Sequence, residues 1–88
     1  MTREETLLER ITVDPGIFGG KPIIRGMRFA VEHVLANLAA GTTVDTVEEL
    51  LDNYPILELE DVHACLLFAH HLLAGDQVYD RIPVRAAS

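Results

Sequence analysis

Cysteine, tryptophan, cationic residues and long apolar segments are all scarce in this chain of 88 residues. The single cysteine, Cys65, excludes an internal disulfide and fits a reducing compartment. The sequence shows no apolar run long enough to span a bilayer and no cleavable signal, so we expect a cytoplasmic protein without membrane contact. The length allows one small domain, and the composition is globular.

Positive charge is unevenly distributed along the chain. The formal net charge is −7, and the segment from Phe29 through Asp80 contains ten acidic residues but no Lys or Arg. This balance argues against a simple nucleic-acid binder, because such proteins are usually basic. It predicts a surface that repels phosphate and attracts a basic partner.

The stretch Gly19–Phe29 holds three of the seven basic residues, and the rest of the chain is organised around it. Gly19-Gly20 indicates a tight turn, because glycine tolerates backbone angles that a Cβ disfavours. Pro22 favours extended backbone before it, and Ile23-Ile24 has strand character. Gly26 predicts a bulge or a close backbone approach.

The residues before this stretch predict a short helix and a strand. Thr2-Arg3-Glu4-Glu5 fits a capping box that opens a helix over residues 3–9. Polar and apolar residues then alternate from Arg10 to Asp14, which predicts a strand that pairs with Ile23-Ile24 or with Arg28-Phe29. A sheet this small needs helices, or a second subunit, to cover it.

The downstream half predicts three helices from its apolar periodicity and its caps. These run from near Ala30 to Gly41, from Thr46 to Pro55, and from Leu59 to Ala74 before Gly75. The third has a predicted core stripe of Val62, Leu66, Ala69 and Leu73. The predicted fold is mainly α, a three-helix helix-turn-helix domain over residues 10–75, with a small N-terminal β element. Residues 1–9 form an arm or short helix, and residues 76–88 form a tail.

No arrangement of catalytic or metal-binding residues can be argued from the spacings. His63, His70 and His71 lie on the third helix without the spacing of a metal site, and Cys65 lies among apolar neighbours. No phosphate loop or nucleophile–base pair is found. We therefore expect no enzyme, no cofactor and no metal.

Lys21, Arg25 and Arg28 are the candidate nucleic-acid-binding residues. One interpretation is a small arm that contacts phosphate, or a site that holds a partner's carboxylates. The other interpretation is that two of these basic side chains neutralise nearby acidic side chains of a helix, such as Glu32. The sequence does not choose between them, because three charges are few for DNA affinity unless a dimer doubles them.

The candidate interface residues lie on the third helix and in the tail. Leu67 and Phe68 widen the apolar arc of that helix beyond one stripe, which predicts a second contact surface. Val78, Tyr79 and Ile82 give the tail an apolar side. Together these residues predict a homodimer or a partner complex.

The order of these motifs resembles the domain-of-unknown-function family numbered 433, regarded as the VapB-like antitoxin component of toxin–antitoxin pairs. The matching segments are Ile11 to Pro15, Gly19 to Gly26 with Arg28, Leu38 to Gly41, Glu48 to Leu51 with Tyr54-Pro55, and Leu57 to Val62. One departure is Glu58, which stands where the family tends to place Thr as the N-cap of the third helix, and which caps less well.

The resemblance implies a homeodomain-like fold and a protein that binds and neutralises a PIN-like ribonuclease toxin, with autoregulatory binding to operator DNA. The acidic helices would oppose the basic RNA-binding rim of such a toxin. The alternative is an orphan helix-turn-helix regulator or a dimeric interaction module without a toxin.

Overall fold

Four helices and one short two-stranded sheet make up the part of the chain that the computed structural model describes, residues 2–40 and 47–75. In chain order the elements are α1 (Arg3–Leu8), β1 (Ile11–Thr12), a 3₁₀ turn (Phe18–Gly20), β2 (Ile23–Ile24), α2 (Val31–Ala40), α3 (Val47–Asn53) and α4 (Leu59–Ala74). The predicted mainly α class with a small β element is confirmed.

The N-terminal helix α1 begins at the predicted cap. The Thr2 hydroxyl oxygen accepts a hydrogen bond from the Glu5 backbone N–H at 3.1 Å, which satisfies one of the free donors of the first turn. Leu7 is buried and packs in the core, and the principal neighbour of α1 is α4. The short helix is therefore docked, which stabilises it against fraying.

The two strands pair antiparallel, with Ile11 opposite Ile24 and Thr12 opposite Ile23. Of the two predicted partners for the first strand, Ile23-Ile24 is the observed one. Phe29 lies on the other side of β2, where its carbonyl accepts a hydrogen bond from the Ile24 N–H at 3.0 Å. Ile23 and Ile24 are both fully buried, and successive side chains point to opposite faces of a strand. The chain itself therefore covers both faces of β2.

Two tight turns flank β2. The predicted turn at Gly19-Gly20 is confirmed, since both glycines have positive φ, at 66° and 87°. After β2, Arg25 and Gly26 both have left-handed backbone, and the Met27 N–H donates to the Ile24 carbonyl at 2.8 Å. A Cβ at Gly26 would meet nothing within 4 Å, so conformation rather than a close approach favours glycine there.

Helices α2 and α3 bury the apolar faces that the sequence predicts. In α2, Val31 and Val34 are buried, and Leu35 and Leu38 pack partly against the same core. In α3 the buried residue is Leu50. The predicted helix stop at Gly41 and the predicted cap at Thr46 lie outside the described residues.

The boundaries of α4 are as predicted, but its core face is not. Gly75 ends the helix with φ 73°, as a left-handed cap does. Two residues of the predicted core stripe are exposed, Leu66 at 47% and Leu73 at 91%. Val62 is the member of the stripe that is buried as predicted, and the other buried residues of α4 are Asp61, Ala64, Cys65 and Phe68. The prediction was wrong because leucines occur on both sides of this helix, so periodicity alone does not choose the side on which α1 and the sheet pack.

Candidate functional site

A buried carboxylate fixes the stretch Gly19–Phe29 to the start of α4. The side chain of Asp61 has 0% exposure. Its Oδ1 accepts hydrogen bonds from Arg25 Nε and Arg10 Nη1, each at 3.0 Å. Its Oδ2 accepts from Arg25 Nη2 and from the Glu58 backbone N–H, each at 2.8 Å. These contacts satisfy the requirement that a buried charge be paired and hydrogen-bonded.

The pKa of Asp61 lies below its ordinary value of 3.8. Burial is the largest influence and raises this pKa, but hydrogen bonds from Arg25, the Glu58 backbone and Arg10 together outweigh it. The pKa of Arg10 is raised, first by its hydrogen bond to Glu58 and then by Asp61. The pKa of Arg25 is raised chiefly by its hydrogen bond to Asp61. All three groups of this Arg10–Arg25–Asp61 cluster therefore carry charge at neutral pH.

Arg25 connects three parts of the chain. Besides its two hydrogen bonds to Asp61, it donates from Nη2 to the Ile56 carbonyl at 2.8 Å. Its backbone φ is 47°, which is uncommon for a residue with a side chain. The guanidinium thus holds the turn after β2, the connection between α3 and α4, and the first turn of α4. Its role in phosphate contact stays a prediction, but its side chain already has protein partners.

The other two candidate nucleic-acid-binding residues have different surroundings. Lys21 Nζ lies 2.7 Å from Glu32 Oε1 in an exposed ion pair, the partner named by the second interpretation of these bases. Within the described residues, Arg28 has no carboxylate within ion-pair distance. Its Cζ lies 5.9 Å from the ring centroid of Phe18, which is a cation–π contact.

An open cleft of about 890 Å³ lies beside Lys21 and Arg28. Its lining residues are Phe18, Lys21, Arg28, Phe29, Ala30, Glu32, His33, Ala36, Tyr54 and Ile56. The start of α2 and the residues that follow α3 thus form the cleft together with the Gly19–Phe29 stretch. None of the lining residues belongs to α4.

Three rings in contact edge to face line this cleft. The centroid of Phe29 lies 5.1 Å from that of His33 and 5.1 Å from that of Tyr54. The His33 and Tyr54 centroids are 5.8 Å apart, with Nε2 of the histidine 3.4 Å from the tyrosine hydroxyl. Such edge-to-face arrangements are favourable and hold the rings in place. The three rings therefore hold one another in position on the wall of the cleft.

The predicted interface residues on α4, Leu67 and Phe68, are not exposed on its surface. Phe68 is only 2% exposed and belongs to the core of its own chain, which corrects its assignment to a contact surface. Leu67 is partly buried and packs against that core. The exposed leucines of α4 are instead Leu59, Leu66 and Leu73. The predicted tail residues Val78, Tyr79 and Ile82 lie outside the described residues.

Cys65 and the histidines are the side chains that the sequence analysis considered for reactive or metal-binding roles. Cys65 is fully buried, as predicted, and burial together with the negative charge of Asp61 raises the pKa of its thiol to about 12. Residues 2–40 and 47–75 contain no group of three or more His, Cys, Asp or Glu placed to hold a metal ion. The absence of a metal and of catalysis stays a prediction.

None of the helices in the described ranges is long and apolar enough to cross a membrane.

Sequence reasoning missed the role of Asp61 and the exposure of Phe18 and Ile56. Asp61 is one of the ten acidic residues from which the sequence predicts an acidic surface, whereas its side chain is buried. One local signal was present, since Asp61 lies three residues after the N-cap Glu58, where a carboxylate can accept a hydrogen bond from the cap N–H. Its arginine partners, Arg10 and Arg25, are 51 and 36 residues away in sequence, and no local pattern points to them.

The fold and the site define a small, mainly helical domain with a two-stranded sheet, a buried arginine–aspartate cluster and an aromatic cleft with basic residues. The chain belongs to the family described as "Protein of unknown function (DUF433)", which matches residues 11–69. The resemblance found in the sequence is thereby confirmed at the level of the family.

Two known proteins are similar to this chain. The chain is 38% identical over 61 residues to the uncharacterized protein y4eO of Sinorhizobium fredii (strain NBRC 101917 / NGR234). That match covers 69% of this chain but only 26% of the relative. The crystal structure of a DUF433 member protein from Anabaena variabilis ATCC 29413 superposes with a TM-score of 0.57 at 30% identity, covering 91% of this chain and 74% of that one.

Proposed function

We propose that this chain is an antitoxin-type protein that binds and neutralises a PIN-like ribonuclease. Within the mainly α class, the proposed architecture is a homeodomain-like helix-turn-helix, with α3 and α4 as its last two helices. The observation that carries the proposal is the separation of charge along the chain. No Lys or Arg lies between Phe29 and Asp80, where ten acidic residues occur.

The exposed side of α3 gives this charge a definite place. Glu48 and Asp52 are both exposed and are four residues apart, so they lie on one face of the helix. Neither has a Lys or Arg ion-pair partner in the described residues. A ribonuclease must present a basic surface to bind RNA, and such a surface is complementary to unpaired carboxylates. An antitoxin that covers this surface would exclude RNA from it.

Operator binding is a weaker part of the proposal. Arg25 is bound to Asp61, and Lys21 is paired with Glu32. Arg28 is the member of the predicted set that has no acidic partner in the described residues. A phosphate contact from this stretch would have to displace the protein contacts of two of its three basic side chains. Binding through such contacts would weaken as the salt concentration rises.

The experiment is co-expression of this chain with a PIN-like ribonuclease encoded beside it in a bacterial host. We expect the chain to restore growth and to co-purify with the toxin. Asp52→Lys is expected to weaken the complex at least about tenfold, because it places like charges opposite each other. Glu9→Lys is the matched control, since it makes the same charge change at the end of the short helix α1, and it should retain binding.

One outcome would contradict this function, and another would contradict the role of the α3 surface. If the neighbouring product is not toxic but still co-purifies, the chain is an interaction module without a toxin. If Asp52→Lys and Glu9→Lys weaken binding equally, net charge rather than the α3 surface determines recognition.

A further inference from the structure

The cleft beside Lys21 and Arg28 has the size and lining of a ligand site, independently of any toxin. Its volume of about 890 Å³ lies within the range of roughly 300–1,000 Å³ typical of small-molecule pockets. Such pockets combine apolar and aromatic walls with a few polar groups that orient the ligand. This cleft has both kinds of group, and α4 contributes none of them.

Two large apolar side chains of the cleft are exposed to water. Phe18 is 45% exposed and Ile56 is 57% exposed. Phe18 also has a positive φ of 49°, which is uncommon for a bulky residue and is a strained conformation. The ring does not lie in the core, so core packing does not offset that strain. A ligand with an apolar body would remove both side chains from water.

The charge in the cleft selects the polar end of the ligand. Arg28 lies against the Phe18 ring and has no carboxylate partner in the described residues. The planar guanidinium group binds carboxylates through two parallel hydrogen bonds. Lys21 is already paired with Glu32 at 2.7 Å, so the cleft offers about one uncompensated positive charge.

The acidity of the whole chain disfavours a ligand with many negative charges. With a net charge of −7, the protein repels a polyanion at long range, and a nucleic acid strand would meet this repulsion along its length. A ligand with one negative charge meets far less of it. The local positive charge of Arg28 is sufficient for such a ligand.

We propose that this cleft binds a small organic monocarboxylate that carries an aromatic or branched aliphatic group. The carboxylate pairs with Arg28, and the apolar group covers Phe18 and Ile56. The rings of Phe29, His33 and Tyr54 form the preorganised part of the site.

The test is an NMR titration of the full chain with N-acetyl-phenylalanine, which has one carboxylate and one ring. We expect saturable shifts at the backbone amides of cleft residues such as Ala30, Ala36 and Ile56. N-acetyl-phenylalanine amide keeps the ring but lacks the charge, and it should bind at least about tenfold more weakly because the pair with Arg28 is lost.

Matched arginine variants localise the carboxylate. Arg28→Gln should weaken binding of N-acetyl-phenylalanine at least about tenfold, whereas Arg3→Gln, which removes an exposed arginine of α1, should leave it unchanged. Phe18→Ala tests the apolar contact and should also weaken binding. The amide spectra of the free variants show whether the fold is retained.

Four outcomes would overturn the proposal. The first is no saturation up to about 10 mM probe, a concentration at which even a millimolar Kd would be seen. The second is equal affinity for the acid and its amide, which would remove the role of Arg28. The third is tighter binding of adenosine monophosphate, which would make the ligand a nucleotide. The fourth is a short peptide ending in phenylalanine that binds more than about tenfold tighter than the free acid, which would make the occupant a chain end of a partner protein.

Discussion

Asp61 joins the two halves of this small domain. Its carboxylate is buried, and its partners Arg10 and Arg25 lie opposite each other at one end of the sheet, where the Arg25 N–H donates to the Arg10 carbonyl at 2.8 Å. A buried ion pair is weak evidence for net stability, but removal of the Asp61 charge leaves Arg25 without a carboxylate partner, whereas Arg10 keeps its hydrogen bond to Glu58. The two arginine side chains are 26% and 34% exposed, so water can compensate part of that loss.

We expect Asp61→Asn to lower the free energy of unfolding by about 2–3 kcal/mol at neutral pH, somewhat less than for a fully buried pair. Urea denaturation measures the change. Glu60→Gln removes a neighbouring exposed acid and should change the free energy of unfolding by no more than about 0.5 kcal/mol. Equal effects of the two substitutions would mean that overall charge, rather than the buried cluster, is responsible.

The same substitution has a predicted pH dependence. Because the pKa of Asp61 is lower in the folded chain than its ordinary value of 3.8, the unfolded chain takes up the proton first as pH falls. The stabilisation by this carboxylate is therefore complete above about pH 5 and is lost as pH falls through the folded pKa. The difference in unfolding free energy between wild type and Asp61→Asn should shrink below about pH 4, and a constant difference would contradict the assignment.

At the scale of the element, α4 has two faces with different roles. One packs against α1 and the sheet through residues such as Val62, Cys65 and Phe68. The other exposes Leu59, Leu66 and Leu73, which recur every seven residues along the helix. A seven-residue spacing keeps side chains on nearly one side of an α-helix. These three leucines form the exposed apolar stripe of α4.

The two faces should respond differently to substitution. Phe68→Ala removes a buried ring and is expected to cost about 3–5 kcal/mol of unfolding free energy. Leu73→Ala removes a side chain that is 91% exposed and should cost no more than about 0.5 kcal/mol. Thermal or urea unfolding distinguishes them. A larger loss of unfolding free energy for Leu73→Ala than for Phe68→Ala would mean that the core stripe predicted from periodicity is the buried one.

At the scale of the whole molecule, the exposed apolar stripe of α4 is the surface on which we base the predicted homodimer. The other motivation, a sheet too small to stand alone, no longer applies, because the chain covers both faces of β2 itself. The stripe has no charged member, whereas the chain carries a net charge of −7. Two identical acidic chains would meet with least repulsion on such a surface.

We expect sedimentation equilibrium at micromolar concentration to give twice the chain mass of 9.7 kDa. Leu66→Lys places a charge in the middle of the stripe and should shift the equilibrium to the monomer, whereas Ala39→Lys on the exposed end of α2 should not. A wild-type monomer, or a dimer that survives Leu66→Lys, would exclude this surface as the dimer contact.

Much of the local structure was predictable from the sequence because its causes are local. The Thr2 cap, the Gly19-Gly20 turn and the Gly75 stop each depend on the conformational preferences of a few neighbouring residues. The burial of Cys65 followed from its apolar neighbours. The start of α1, the turn before β2, the strand at Ile23-Ile24, the end of α4 and the mainly α class are accordingly as predicted.

Only the tertiary structure decided which side of α4 is buried and which groups contact the basic side chains of the Gly19–Phe29 stretch. The helix has leucines on both sides, so its periodicity fits either orientation until α1 and the sheet pack against one side. Arg25 and Asp61 are 36 residues apart, and a pairing over that distance depends on how the elements pack rather than on local preference. The cleft likewise exists only because the start of α2, the residues after α3 and the Gly19–Phe29 stretch come together in the folded chain.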